Sequence, residues 1–269
     1  MKIAIAGSDT RGAELAVKKH GLPKLYSILG QRKNIEEYDD DHLLIIDSGA
    51  HSWNKEAMHN VGMKRKNKIQ PAEEFIEVYN SFVRKNVEKK CVFVEFDVYG
   101  HLPKKQIDKM AKKIKKINLA GKFMRVYHPI IDSDLGLAPL TTLRQWIDEG
   151  ETYIGIGNDS KQHLDDIFAL TRDEIRIHGF AMTKLKTMER YPFFSVDSTS
   201  PLSTVIFGRY TKPVMNFRER SDIVITKSIE AYHDDWERLE NAIIETKKTQ
   251  DYITNLWKKK GVIWTDLKF

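Results

Sequence analysis

Along this chain short apolar runs, all but the first ending in a polar or glycine residue, alternate with longer segments in which apolar residues recur every third or fourth position. The runs are KIAIA (2–6), LLIID (43–47), CVFVEFD (91–97), FMRVYH (123–128), YIGIGND (153–159), RIHG (176–179) and FFSVDSTS (193–200). Continuous apolar runs bounded by turn residues read as strands buried on both faces. Between them, PAEEFIEVYNSFVRKN (71–86) sets Phe75, Val78, Tyr79, Phe82 and Val83 at helical spacing behind Pro71, a residue suited to a first helical turn. PKKQIDKMAKKIKKIN (103–118) carries Ile107, Met110, Ile114 and Ile117 on one stripe. Further helices are expected around 140–149 and 161–170, and a short one capped by Asp9 or Thr10 should stop at Gly21.

Strand and helix in alternation argue for a parallel sheet. Seven strand runs in one chain, with an eighth supplied by VIFGRY (205–210) or DIVIT (222–226), fit an α/β fold of the (β/α)8 TIM type. No Pro/Gly/Ser-rich spacer divides the chain, so residues 1–227 are assigned to one barrel. Residues 228–269 form a helical extension packed on it. In that extension Ile229, Tyr232, Trp236, Leu239 and Ile243 make a heptad seam that resumes at Ile253 and Trp257 after Thr246 and Gln250 interrupt it. Packing on the barrel accounts for the seam; homodimerisation is the alternative.

Parallel barrels present the C-terminal ends of their strands on one face, where catalytic residues gather. Asp47, Asp97, His128, Gly157, Gly179 and Asp197 all stand at or just past strand ends, so they should share one mouth. Alternation along CVFVEFD puts Phe93, Glu95 and Asp97 on one side; a buried Glu95 then either has a basic partner, for which Arg125 on the next strand is the candidate, or belongs to a site that holds something. Gly155 and Gly157 leave one face of their strand without side chains, a gap that a flat ring would fit. Asp47 could equally cap the following turn, and His128 could be a hydrogen-bonded structural histidine.

Charge and composition narrow the chemistry. Among 269 residues there is one cysteine, which excludes an intramolecular disulfide and a four-cysteine zinc site and fits a reducing, cytoplasmic setting. No run approaches membrane-spanning length. The net charge of +6 favours a polyanionic partner, and Lys104, Lys105, Lys112 and Lys116 on the 103–118 helix are candidate phosphate contacts, although a solvated face explains them as well. Gly7 and Gly12 lack the spacing of a dinucleotide-binding fingerprint. A pair of strand-end aspartates suits retaining glycosyl transfer, with one carboxylate attacking C1′ and the other moving protons. A third carboxylate can accept the paired N–H donors of guanine.

The residues also carry a resemblance. DSGAHSW (47–53) resembles the DSGG(F/Y)Q motif of the queuine and archaeosine tRNA-guanine transglycosylases. VEFDV (94–98) resembles their second aspartate strand, YIGIGND their glycine-rich strand, and HGFAM (178–182) with FFSVDSTS their late glycine and nucleophile segments, all in the same order. The resemblance implies Asp197 as nucleophile, Asp47 as general acid/base and Asp97 as the base-recognising aspartate. It implies further contacts to the base from Ser48, Gly49, His128, Gly157, Gly179 and Phe180, with His128 standing near the strand that supplies a glutamine in the family. The family's tRNA enzymes carry a zinc module built on three cysteines, which this chain cannot build, and STSPLS (198–203) stands where they have an arginine-containing segment. The compact, zinc-free form resembles the phage and bacterial branch that inserts 7-deazaguanines into DNA. The implied partners are therefore DNA, or alternatively tRNA, and a free 7-deazaguanine base, with no metal or redox cofactor. The implied location is the cytoplasm, that of the host if the chain is phage-encoded. Two other activities are left open: a catalytically silent nucleic-acid-binding subunit, and a hydrolytic glycosidase using the same carboxylates.

Overall fold

A computed structural model of the chain describes residues 1–7, 11–28, 42–53, 71–99, 102–116, 122–172, 174–202, 209–211, 223–225 and 235–267. Eight parallel strands close into a barrel: β1 (Lys2–Ala6), β2 (Lys24–Ser27), β3 (Leu44–Asp47), β4 (Cys91–Val94), β5 (Phe123–Tyr127), β6 (Tyr153–Ile156), β7 (Arg176–Gly179) and β8 (Ser195–Ser198). Neighbours in sequence are neighbours in space, and β8 closes on β1 with Ala4 beside Asp197. Among the helices that return the chain are α1 (Arg11–Lys19), α2 (Ala72–Lys85), α3 (Lys104–Lys115), α4 (Ile130–Asp134), α5 (Thr141–Asp148), α6 (Leu164–Thr171) and α7 (Leu185–Arg190). A 3₁₀ turn over Asn158–His163 leads into α6.

The apolar residues sort into two layers. Inside the barrel, small Ala4 and Ala6 of β1 leave room for the large Tyr153 and Phe194, which meet edge to face with ring centroids 5.3 Å apart. Outside, Phe93 packs under Phe75 and Tyr79 of α2 and Ile107 of α3, and on the opposite side Ile154 and Ile177 pack under Trp146 and Ile167. Of the stripe expected on α2, Phe75, Tyr79 and Val83 are buried with Ile76, but Val78 is 49% exposed. On α3, Ile107, Met110 and Ile114 face inward as expected, and Ile117 lies outside the described residues.

Two strand expectations are corrected. The second strand is KLYS, too short and too polar to read as a buried run: its Lys24 is only 5% exposed and reaches Glu14 of α1 at 2.9 Å. FFSVDSTS is consequently the eighth strand, and the barrel needs neither of the two later candidates. Parts of those segments form β9 (Arg209–Thr211) and β10 (Ile223–Ile225), an antiparallel pair outside the barrel.

The final helix, α8 (Asp235–Lys259), lies against the barrel. Leu239 and Ile243 join the cluster beneath α1, and Ile253 joins that beneath α7. Gln250, one of the two polar breaks in the seam, accepts a hydrogen bond from the Ile3 backbone N–H at 2.7 Å, so the interruption is itself a docking contact. Trp236 stays 45% exposed, and Ile229 and Tyr232 fall outside the described residues. Among the described residues no helix is long and apolar enough to cross a membrane.

Candidate active site

Three of the strand-end acids meet at the barrel mouth. Asp47 ends β3, where Ser27 of β2 is its register partner and Gly49, at φ +82°, turns the chain sharply away. Its carboxyl is pushed up to about 7, first by burial, next by the charge of Asp97, and also by that of Asp197, against a hydrogen bond from the Gly49 N–H. A carboxyl so placed exchanges its proton near neutral pH.

Asp197, on β8, is 8% exposed and accepts a hydrogen bond from Ala181 N–H to Oδ1 at 2.9 Å. His178 Nε2 of β7 faces the same Oδ1 at 3.4 Å. Behind it His178 Nδ1 meets Ser195 Oγ at 2.7 Å, and Ser195 Oγ meets the Tyr153 hydroxyl at 2.6 Å. The sequence reading missed His178, Ser195 and Tyr153 as site residues. The available signal was polar side chains within otherwise apolar strands, each of which must find a partner once buried.

Asp97 lies past the end of β4 and pairs through Oδ2 with His128 Nε2 at 2.7 Å. The other ring nitrogen, Nδ1, meets Asp159 Oδ2 at 3.0 Å. Burial pulls the His128 pKa down, but the Asp159 and Asp97 carboxylates outweigh it and push it up to about 10. His128 is thus an imidazolium clamped between two carboxylates, and Asp159 is a further site residue that the sequence reading left without a role.

Glu95 does not share this face with Asp97. Glu95 stays with Phe93 on the helix side, as alternation expects, and it is Asp97, past the strand end at Val94, that departs. Glu95 accepts from Arg125 Nε at 3.1 Å, as its sequence position suggested, and from the Val126 N–H at 3.1 Å. Arg125 also reaches Asp108 of α3 at 2.5 Å and lies 3.8 Å over the Trp146 ring of α5.

The glycines behave differently from the open gaps expected. A Cβ on Gly155 would come within 2.7 Å of the Phe180 ring, so the flat ring in that slot is the chain's own. A Cβ on Gly157 would overlap Asp159 and stand 2.8 Å from His128, and one on Gly179 would meet Phe193 at 2.7 Å. These glycines make room for the clamp and the outer core. Ser48 is fully buried, its hydroxyl donating to the Glu95 carbonyl at 2.9 Å, which places it in the wall of the site. Phe180 is half-buried at the mouth, 4.4 Å from the His178 ring.

A helix between parallel strands must run back from the mouth, so Lys104 and Lys105 begin α3 near the site. Lys112 and Lys116 lie about 12 and about 18 Å farther down its axis. Lys104 is paired with Asp108 at 2.7 Å; Lys105, Lys112 and Lys116 are exposed. Among the described residues no group of three His, Cys, Asp or Glu side chains is arranged to hold a metal ion.

Comparison of the chain with protein-family models, curated proteins and solved structures finds no match. The chemistry is therefore argued from the mouth itself. Two carboxylates there differ in kind: Asp47 is held near neutrality among like charges, whereas Asp197 receives a backbone N–H and faces an imidazole nitrogen. Environments that set two acids apart in this way divide the labour of proton transfer and nucleophilic attack.

Proposed function

We propose that this chain is a guanine transglycosylase that exchanges guanine in DNA for a free 7-deazaguanine base. The observation that carries the reading is the meeting of Asp47, Asp97 and Asp197 at one mouth, with Asp47 poised near pH 7 by burial and then by its two acidic neighbours. Asp197 attacks C1′ and forms a glycosyl ester, while Asp47 protonates the departing guanine and then takes the proton of the incoming base. Asp97 keeps Oδ1 free of hydrogen bonds among the described residues and can accept an N–H from the base edge, while the His128 imidazolium orients its Oδ2. The order of the sequence motifs supports a guanine-like base, and the absence of cysteines for a zinc module favours DNA over tRNA. A base paired in duplex must be flipped out or presented single-stranded to reach such a mouth, with Lys104 and Lys105 nearest to grip the backbone.

The test is to incubate the protein with guanine-containing DNA and, separately, tRNA, in the presence of labelled guanine or a 7-deazaguanine, and to count label in each polymer. Label in DNA, absent with Asp197→Ala, is the expected result. Label only in tRNA would replace the substrate. Base-free sugar sites without incorporation would indicate hydrolysis, and activity in neither polymer would leave a binding subunit as the better description.

A further inference from the structure

The hydrogen-bond chain behind Asp197 leads to its carboxylate. Ser195 Oγ lies between the Tyr153 hydroxyl and His178 Nδ1, and His178, with no exposed surface, turns Nε2 toward Asp197 Oδ1. If Nδ1 carried the only ring proton, Nε2 would present a bare lone pair to a carboxylate. Either arrangement without that repulsion, Ser195 donating to a bare Nδ1 or accepting from Nδ1–H, keeps a proton on Nε2 and points it at Asp197. At 3.4 Å that last contact is too poorly formed to satisfy Nε2, which has no hydrogen-bond partner among the described residues. A fully buried donor is thus aimed at the reacting carboxylate and left unsatisfied in the free protein. Catalytic hydrogen bonds are often long in the absence of substrate and shorten during reaction.

Both donors near Asp197, the Ala181 N–H and His178 Nε2–H, converge on Oδ1. Oδ2 accepts no hydrogen bond among the described residues. We infer that His178 is a positioning residue which, with the Ala181 N–H, holds Oδ1 so that Oδ2 is the attacking atom, and which stabilises the carboxylate when the ester is broken.

The inference rests on the base-exchange reading and adds a kinetic role to it. In the first half-reaction an electron pair on Oδ2 forms the bond to C1′. The bond from C1′ to the guanine nitrogen breaks, and its pair leaves with guanine, which takes a proton from Asp47. In the second, the incoming base gives its proton to Asp47 and attacks C1′, and the C1′–Oδ2 pair returns to Asp197. Negative charge therefore redevelops on the carboxylate in the second step, where two donors on Oδ1 make it a better leaving group. Removing one preorganised donor of this kind slows a step by about a hundredfold or more, and here the step slowed is resolution of the ester.

Two measurements test this. In wild-type protein with 15N-labelled histidine, NMR should find a proton on Nε2 of His178, and that resonance should move in Asp197→Asn. A bare Nε2, or no response to Asp197→Asn, overturns the donor contact whatever the protein's activity. The second measurement is the amount of covalent protein–nucleic acid adduct after a denaturing quench, with DNA and with tRNA. His178→Leu should accumulate adduct and turn over about a hundredfold more slowly, while His178→Gln, whose amide can donate from a similar place, should restore much of the wild-type partition. Adduct in the wild type with an unchanged partition in a folded His178→Leu overturns the positioning role alone. A wild type that forms no adduct with either polymer overturns base exchange and this kinetic role together, with the NMR result still deciding the contact.

Discussion

Asp47 is a carboxyl whose environment opposes its ionisation, which makes it both useful and costly. Its folded pKa of about 7 lies above the ordinary 3.8, so the folded protein holds this proton more tightly than the unfolded chain. By linkage, its contribution to stability is most favourable below about pH 4 and is lost as pH rises through about 7. Asp47→Asn should therefore abolish exchange yet melt at a higher temperature than wild type at about pH 8, with the difference vanishing near pH 4; melting curves across that range check it. His128 has the same sign, although there the charged form is the one favoured. Its pKa, raised from 6.5 to about 10, gives stability that is complete below the ordinary value and lost as pH rises through about 10. Asp159→Asn removes one of the two carboxylates facing the ring. The expected outcome is an alkaline limb in base binding that moves toward neutral pH, seen as a rise in KM for the free base with a smaller change in kcat.

At the scale of elements, the Glu95–Arg125–Asp108 cluster ties β4, β5 and α3 together, and the Arg125 stack on Trp146 extends the tie to α5. Burial pushes the Glu95 carboxyl up and the Arg125 guanidinium pulls it back. Arg125→Met would leave Glu95 buried without its partner, an arrangement that costs about 3–5 kcal/mol. Urea unfolding should show that loss, and Glu95→Leu added to Arg125→Met should recover much of it. The Arg125–Glu95 pairing was legible in the sequence, because a carboxylate on a buried strand requires a cation on a neighbouring one. That Asp97 would part from Phe93 and Glu95 was not, since that depends on β4 ending at Val94.

At the scale of the whole molecule, α8 holds both the start and the close of the barrel. It accepts the Ile3 N–H through Gln250 and bonds the amino terminus of Met1 through Thr254 at 3.1 Å, while Trp257 Nε1 donates to Met188 O of α7 at 2.8 Å. Gln250→Leu should leave the Ile3 N–H buried without an acceptor, at a cost of about 1–3 kcal/mol. Amide exchange should accelerate first in β1 and α8, next to the seam where β1 meets β8. Unchanged protection there would mean that the apolar contacts of Ile243 and Ile253 hold the helix alone.

The sequence by itself determined the parallel barrel and the positions of Asp47, Asp97 and Asp197 at strand ends, because strands buried on both faces must be written as unbroken apolar runs and their polar ends stand out. It also offered Arg125 as the partner of a buried Glu95. Only the tertiary structure decided that KLYS is a strand, since a buried Lys24 is tolerable only once Glu14 is beside it. It alone decided that FFSVDSTS closes on β1, that the slot at Gly155 holds Phe180, and that His128 sits between two carboxylates while His178 backs Asp197. Apolar periodicity is a property of neighbours in sequence. Charge, protonation and the filling of a gap depend on residues that come together only when the barrel closes.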